Sequence, residues 1–326
     1  MKAERLPSAK IYRLTIENDS AGVTGAGKKY RRSPYRRSWK MKMTVQELFE
    51  QAKEIGLTEN IPFTDFRFII SFYLQLSSNE IFLHRQRVLT PDEKEKISIA
   101  FKRLAKGEPP QYIIGRAYFY GLELKVNPEV LIPRFETERL VELTLQRLHG
   151  TETILDIGTG SGAIAIALKQ NLNSLNVLAT DISPEALKIA KDNAAKYQTD
   201  IHFYLADCFP ATGHTYSAII SNPPYISQAE LAALDQRVRE QEPRLALLGG
   251  IDGLEFYRKL FRYSSSYLTE NGFLAVEHSE AQKDELIAIA QKEGWTKIET
   301  FQDWNARDRY LFLYKEKGIT NGTLYN

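Results

Sequence analysis

A single cysteine, Cys208, is all the thiol in this chain of 326 residues. One thiol excludes a disulfide framework and any metal centre built on cysteine. Histidine is scarce as well: His84, His149, His202, His214 and His278 are scattered without ligand spacing, so no metal site is expected. No apolar run approaches the roughly 20 residues that a spanning helix needs, and the start lacks the apolar core of a secretory signal. A cytoplasmic protein with no membrane partner is the expectation. Hydrophobic residues nevertheless make up 43 % of the sequence, enough at this length for two domains with cores of their own.

The net charge of +2 is uneven: residues 1–42 hold twelve Lys or Arg against Glu4, Glu17 and Asp19, a local charge of +9 that leaves −7 on the remainder. The run from Lys28 to Lys40, with Tyr30, Tyr35 and Trp39 interleaved, has the charge and the stacking surface to bind RNA or an acidic surface. Its simpler readings are a disordered extension, or sequence upstream of a start at Met41 or Met43. Elsewhere the body is mildly acidic, and phosphate contacts normally dominate nucleic-acid affinity. Nucleic acid is therefore not an expected partner except through that basic extension.

Past the extension, Thr44-Val-Gln-Glu47 is a capping box, and Leu48, Ala52 and Ile55 recur on one helical face until Gly56. A densely apolar helix over Asp65 to Leu76, a short one over Asn79 to His84, and a helix opened by Thr90-Pro91-Asp-Glu93 and running to about Ala105 follow. The expected organisation is a basic extension (1–42), a helical domain (43–107), a β-hairpin linker turning near Gly121 (108–130), an α/β domain (131–316) and a short tail (317–326). Strand and helix patterns alternate from Thr153 to about Gln291, then Lys297 to Gln302 and Arg309 to Tyr314 read as two closing strands. The fold class is thus α/β, a Rossmann-like parallel sheet with an antiparallel edge and a small N-terminal helical bundle.

Two motifs in the α/β part carry chemistry. The first, Glu152-Thr-Ile-Leu-Asp-Ile-Gly158-Thr-Gly160-Ser-Gly162, is a strand and a glycine-rich turn leading into a helix that starts near Ser161. Its Gly-x-Gly-x-Gly spacing differs from that of dinucleotide enzymes. Nineteen positions past Gly162, the run Asn176 to Thr180 ends in Asp181, placed to accept from a ribose diol. Asp207 follows a third apolar run, where its carboxylate can meet an adenine amino group, and Cys208 beside it reads as pocket wall. With Gly158 to Gly162, including Thr159 and Ser161, these residues make an adenosine site with no basic residue for a pyrophosphate. S-adenosylmethionine fits that description better than NAD or ATP. Helix capping is the alternative reading for both aspartates.

The second motif is Asn222-Pro223-Pro224-Tyr225, directly after the apolar run Tyr216 to Ser221. Ligands of open α/β sheets bind outside such strand ends. Neither proline has a backbone N–H, so the loop offers carbonyl acceptors and one carboxamide while donating almost nothing. It suits an NH2 group on an sp2 carbon, which would give its hydrogens to Asn222 and a proline carbonyl while Tyr225 packs on its flat face. A rigid turn is the plain alternative.

Together with Leu131-Ile-Pro-Arg-Phe-Glu-Thr-Glu138 and Glu242 to Tyr257, these motifs resemble the peptide chain release factor glutamine methyltransferases, over about residues 43 to 315. The glycine and Asn-Pro-Pro-Tyr motifs are shared by many amino-methyltransferases, whereas Pro-Arg-x-Glu-Thr-Glu singles out this family. The resemblance implies a class I methyltransferase core, S-adenosylmethionine as donor, and as acceptor the glutamine of the Gly-Gly-Gln loop of bacterial release factors. It also implies that the helical domain helps dock that partner. By motif match, Gly158 to Gly162 line the methionine and ribose, Asp181 holds the ribose hydroxyls, and Asn222, Pro223, Pro224 and Tyr225 grip the glutamine amide. Asn222 is then the orienting catalytic residue and Tyr225 its platform. The chain departs from the pattern at Phe135, where proline is usual, at Cys208, where a bulkier residue is common, and over Glu277 to Gln282. Competing readings are a glutamine methyltransferase of a ribosomal protein, an exocyclic-amine methyltransferase of DNA or rRNA, and a binding module without turnover.

Overall fold

The structure, a computed structural model, describes residues 42–316. The expectations for the basic extension and the 317–326 tail therefore lie outside the described residues. The first elements are helices α1 (Val45–Glu59), α2 (Phe63–Leu74), α3 (Ser78–Leu83) and α4 (Pro91–Leu104). The boxes at Thr44 and Thr90 close reciprocally with Glu47 and Glu93, and Pro91 takes the first turn of α4, where its missing N–H has no partner to lose. A third box, Ser77 with Glu80, starts α3. Contrary to the sequence reading, Gly56 does not end α1, which continues to Glu59 and closes through left-handed Asn60. Gly56 instead allows a close approach: a methyl there would stand 2.8 Å from the Ile61 carbonyl oxygen. Helices α1 and α4 pack on α2, with Phe66 and Phe101 edge to face at 4.9 Å.

Helix α5 (Pro110–Ile114) leads into the antiparallel hairpin of β1 (Arg116–Phe119) and β2 (Leu122–Lys125), which turns at Tyr120 and Gly121. Its side chains Phe119, Leu122 and Leu124 join the core beneath the main sheet. Helix α6 (Phe135–Leu145) follows, an element that sequence did not announce. No side chain caps its first turn, so the usual start signal is missing.

Among the described residues, seven strands form the sheet: β3 (Thr153–Ile157), β4 (Asn176–Asp181), β5 (Ile201–Leu205), β6 (Tyr216–Ser221), β7 (Leu268–Glu277), β8 (Lys297–Gln302) and β9 (Asp308–Tyr314). Their order is β5-β4-β3-β6-β7-β9-β8, and only β9 runs against its neighbours. The two closing strands thus form the expected antiparallel edge, with β9 as its inner strand and β8 outermost. Burial explains the order, because Tyr310 to Leu313 of β9 are fully buried while β8 is half-buried in its middle and exposed at both ends. The remaining α-helices among the described residues are α7 (Ala163–Asn171), α8 (Pro184–Lys196), α9 (Gln228–Ala233), α10 (Gln236–Gln241), α11 (Arg244–Leu247), α12 (Glu255–Tyr267) and α13 (Lys283–Lys292). Alternate strand residues face opposite cores: Ile154, Val177, Ala218 and Ile220 pack with α6 and α7, and Leu155, Leu178, Ile219 and Leu274 pack with α12 and α13. Both faces being covered, the strands read as continuous apolar runs. Strand order reverses between β3 and β6, the switch point at whose carboxyl ends such sheets bind ligands. Among the described residues, no helix is long and apolar enough to cross a membrane.

Candidate active site

Ile157 and Ser221 are register partners on parallel strands, and the Ser221 hydroxyl donates to the Ile157 carbonyl at 2.8 Å. Gly158 and Asn222 therefore leave the sheet side by side. Gly158 and Gly160 take positive φ values of 71° and 54°, and a methyl on either would meet open space, so what demands glycine there is the backbone turn. Gly160 N–H donates to Asp181 Oδ2 at 2.8 Å. Behind the loop, fully buried Asp156 accepts from the Thr159 hydroxyl at 2.6 Å, and burial pushes its carboxyl up to about 7.

A cavity of about 370 Å³ lies over these strand ends, walled by Gly158, Gly160, Asp181, Asp207, Cys208, Asn222 and Pro224, with Leu131, Leu245 and Phe256 among the apolar surfaces. Thr159, Ser161 and Gly162 stand behind the loop and are not part of that wall. Helix α7 starts at Ala163 with Gly162 as its cap, two residues later than the sequence suggested. The Asp181 carboxylate also accepts from Ser183 N–H at 2.9 Å, and burial raises its pKa. Ser183, not Asp181, caps α8. Asp181 also lines the cavity, where its carboxylate can accept from a hydroxyl. Asp207 is paired with Lys259 at 2.6 Å and remains largely exposed. Cys208 is buried in the wall, and burial pushes its thiol up to about 12, so it is a packing surface and no nucleophile.

A second cavity of about 180 Å³ is walled by Arg134, Asn222, Pro223, Tyr225, Val238 and Leu247, among others. Asn222 borders both cavities. Burial pushes the Tyr225 phenol up to about 12, keeping it neutral. The loop is held from outside the motif: Ile226 N–H donates to Leu247 O at 3.0 Å, Gly249 N–H to Ile226 O at 2.9 Å, and Gln282 Nε2 to Tyr225 O at 2.9 Å. Arg134 grips both oxygens of buried Glu242, at 2.7 and 2.8 Å, tying the 131–138 segment to the 242–257 segment.

Sequence reasoning missed three participants. Asn222 Nδ2 donates to the Thr137 hydroxyl at 2.9 Å, and that hydroxyl donates to Glu277 Oε2 at 2.7 Å. Burial pushes the Glu277 carboxyl up to about 7. Asp156 is the third. Thr137 and Glu277 lie 140 positions apart, and no local spacing relates them.

Such a sheet, with a glycine loop and a carboxylate at successive strand ends and an Asn-Pro-Pro-Tyr loop at the switch point, defines a Rossmann-like methyltransferase of class I. Comparison with known proteins narrows this. Residues 46–115 match the family model "PrmC N-terminal domain" and residues 136–251 match "Methyltransferase small domain". The release factor glutamine methyltransferase of Streptococcus pneumoniae is 43 % identical over 72 % of this chain and 85 % of its own length. That of Geobacter sulfurreducens is 38 % identical over 74 % and 86 %, and that of Koribacter versatilis 34 % over 80 % and 95 %. A solved protein-(glutamine-N5) methyltransferase from Alicyclobacillus acidocaldarius aligns with a TM-score of 0.37 at 25 % identity, over 59 % of this chain and 99 % of that one. The chain belongs to the release factor glutamine methyltransferase family.

Proposed function

We propose that this enzyme transfers the methyl group of S-adenosylmethionine to the side-chain amide nitrogen of the glutamine in the Gly-Gly-Gln loop of bacterial release factors. The observation that carries the reading is that Asn222 borders two cavities, one at the glycine loop and Asp181, the other at Pro223 and Tyr225. The larger cavity suits the donor: it is mostly apolar, offers the half-buried carboxylate of Asp181, and has glycines where the backbone must turn tightly. Gly158, Gly160 and Asp181 would hold the ribose and methionine parts, with Asp207 and Cys208 near the adenine. When bound, the cofactor supplies a sulfonium methyl as electrophile.

An amide nitrogen is a poor nucleophile because its lone pair is delocalised, the same delocalisation that makes the barrier to rotation about 18–20 kcal/mol. Asn222 Oδ1 and the Pro223 carbonyl would accept its two N–H bonds and favour a more pyramidal nitrogen with its lone pair aimed in line. Alignment of this kind lowers a barrier by up to about 7–11 kcal/mol. As positive charge develops on nitrogen, the same oxygens stabilise it in a water-poor site. No general base is needed before transfer. We assign the helical domain, residues 43–107, to docking of the release factor, in keeping with the match of residues 46–115 to the family's N-terminal model.

The test is transfer of labelled methyl to purified release factor, beside a release factor whose Gly-Gly-Gln glutamine is replaced, ribosomal protein, DNA and RNA. Label on intact release factor alone is the expected result; label on any of the others overturns the substrate. Asn222→Ala should lower kcat by about 10²- to 10³-fold with cofactor affinity within a few fold. Full turnover in that variant would remove Asn222 from its role.

A further inference from the structure

A carboxamide has two ends of nearly equal shape and opposite function. Turned by 180° about its last bond, Asn222 would present NH2 to an acceptor that also presents N–H, and two donors would face each other. Some neighbour must decide between the two orientations. We propose that Thr137 and Glu277 form a directional hydrogen-bond relay that turns the Asn222 carboxamide oxygen toward the acceptor amide. Both are positioning residues. The proposal rests on Asn222 being the group that receives the acceptor's NH2.

The direction follows from counting protons. The Thr137 hydroxyl stands 2.7 Å from Glu277 Oε2 and 2.9 Å from the Asn222 side-chain nitrogen. An ionised carboxylate only accepts, so the one hydroxyl hydrogen of Thr137 is committed to Glu277. Toward Asn222 the hydroxyl then has lone pairs alone. Asn222 must give it the NH2 end, which leaves Oδ1 for the cavity side. The relay is also anchored at both ends. Tyr257 Oη donates to the Glu277 carbonyl at 2.6 Å, and Tyr310 Oη to the carbonyl of Glu136, next to Thr137, at 2.6 Å. Glu277 is 1 % exposed, and a carboxylate so deep is poor material for stability when an apolar residue would fill the space. Fixing direction gives it a use.

A pH dependence follows. Protonated Glu277 can donate to Thr137 itself, which frees the Thr137 hydrogen for Asn222 and removes the directional rule. The charged and titratable groups around Glu277 are Arg134, Glu136, Tyr225, Tyr257, Arg309 and Tyr310, and burial outweighs the two arginines to bring Glu277 up to about 7. Turnover should therefore rise with pH through about 7.

The experiment compares wild type, Thr137→Val, Thr137→Ser and Glu277→Gln in methyl transfer to release factor, with thermal melts and cofactor binding in parallel. Thr137→Val should lose about 10- to 100-fold in kcat, with KM for release factor and cofactor affinity within about threefold. Thr137→Ser should recover to within about threefold. Glu277→Gln, which cannot ionise, should lose the acid limb and give a kcat that does not change through about pH 7. A folded Thr137→Val with wild-type kcat, or a Ser variant as poor as Val, overturns the relay. If Thr137→Val does not fold, an unchanged acid limb in Glu277→Gln overturns it instead. Absence of any wild-type turnover on release factor counts against the substrate assignment, and the relay is then read without turnover in 15N-asparagine-labelled protein. The Asn222 side-chain amide, assigned by comparison with Asn222→Ala, should exchange slowly in wild type and quickly in Thr137→Val. Equal exchange in the two overturns the relay.

Discussion

Replacing Gly249 by alanine separates the position of the Asn-Pro-Pro-Tyr loop from its composition. The methyl would stand 2.6 Å from Pro224 O, 2.8 Å from Gly253 O and 2.9 Å from Tyr225 Cα. All three are backbone atoms, so no side chain can swing aside. The residue cannot retreat either, because its N–H donates to Ile226 O at 2.9 Å and its carbonyl accepts from Glu255 N–H at 3.1 Å. Bringing the Pro224 contact out to an ordinary 3.4 Å takes a shift of about 0.8 Å. A displacement of about 1 Å in positioned groups can lower a rate 10²-fold, so kcat should fall by about 10- to 100-fold. Overpacking of this kind also lowers stability by about 1–3 kcal/mol. Pro224 also lines the larger cavity, whose glycine loop and Asp181 lie on the opposite chain segments, so S-adenosylhomocysteine affinity, measured by calorimetry, should fall less than kcat does. Steady-state methyl transfer and a thermal melt complete the assay. A folded Gly249→Ala enzyme with wild-type kcat would refute the claim that this loop's placement governs turnover.

Asp181→Ala should weaken cofactor binding by about 10- to 150-fold, the scale of hydrogen bonds to a charged group at about 1.5–3 kcal/mol, while kcat at saturating cofactor changes little. Helix α8 keeps its own cap, Ser183, so the far-ultraviolet circular dichroism should not change; cofactor affinity like that of wild type would rule out the assignment. Glu277, raised by burial from 4.5 to about 7, is an acid that holds its proton in the folded state after the unfolded chain has lost it. Its contribution to stability therefore falls as pH rises from about 4.5 to about 7 and is level above that. Glu277→Gln, neutral throughout, should gain stability relative to wild type between pH 5 and pH 8 in denaturant titrations, and a constant difference across that range would show that Glu277 does not titrate in it.

Much of this enzyme is determined by sequence alone, because the signals involved are local. Capping boxes at Thr44 and Thr90, apolar strand runs, and Asn222-Pro223-Pro224-Tyr225 after a buried strand each depend on neighbours a few positions away, and the structure contains each element. The same local logic failed where a distant contact decided the outcome. Gly56 reads as a stop, yet lies inside α1 because Ile61 and Phe66 approach it. Strand β9 takes an inner place over β8 because it buries more surface against β7 and the helices, which neither segment reveals by itself. In the site, sequence named Gly158, Asp181 and Asn222, which line cavities, whereas tertiary structure alone brought Thr137 of α6 and Glu277 of β7 to Asn222, and Arg134 to Glu242. Hydrogen bonds of that range have no period and no spacing. They form only when the sheet order has set distant strand ends side by side, and so the support of the Asn222–Tyr225 loop is a property of the fold.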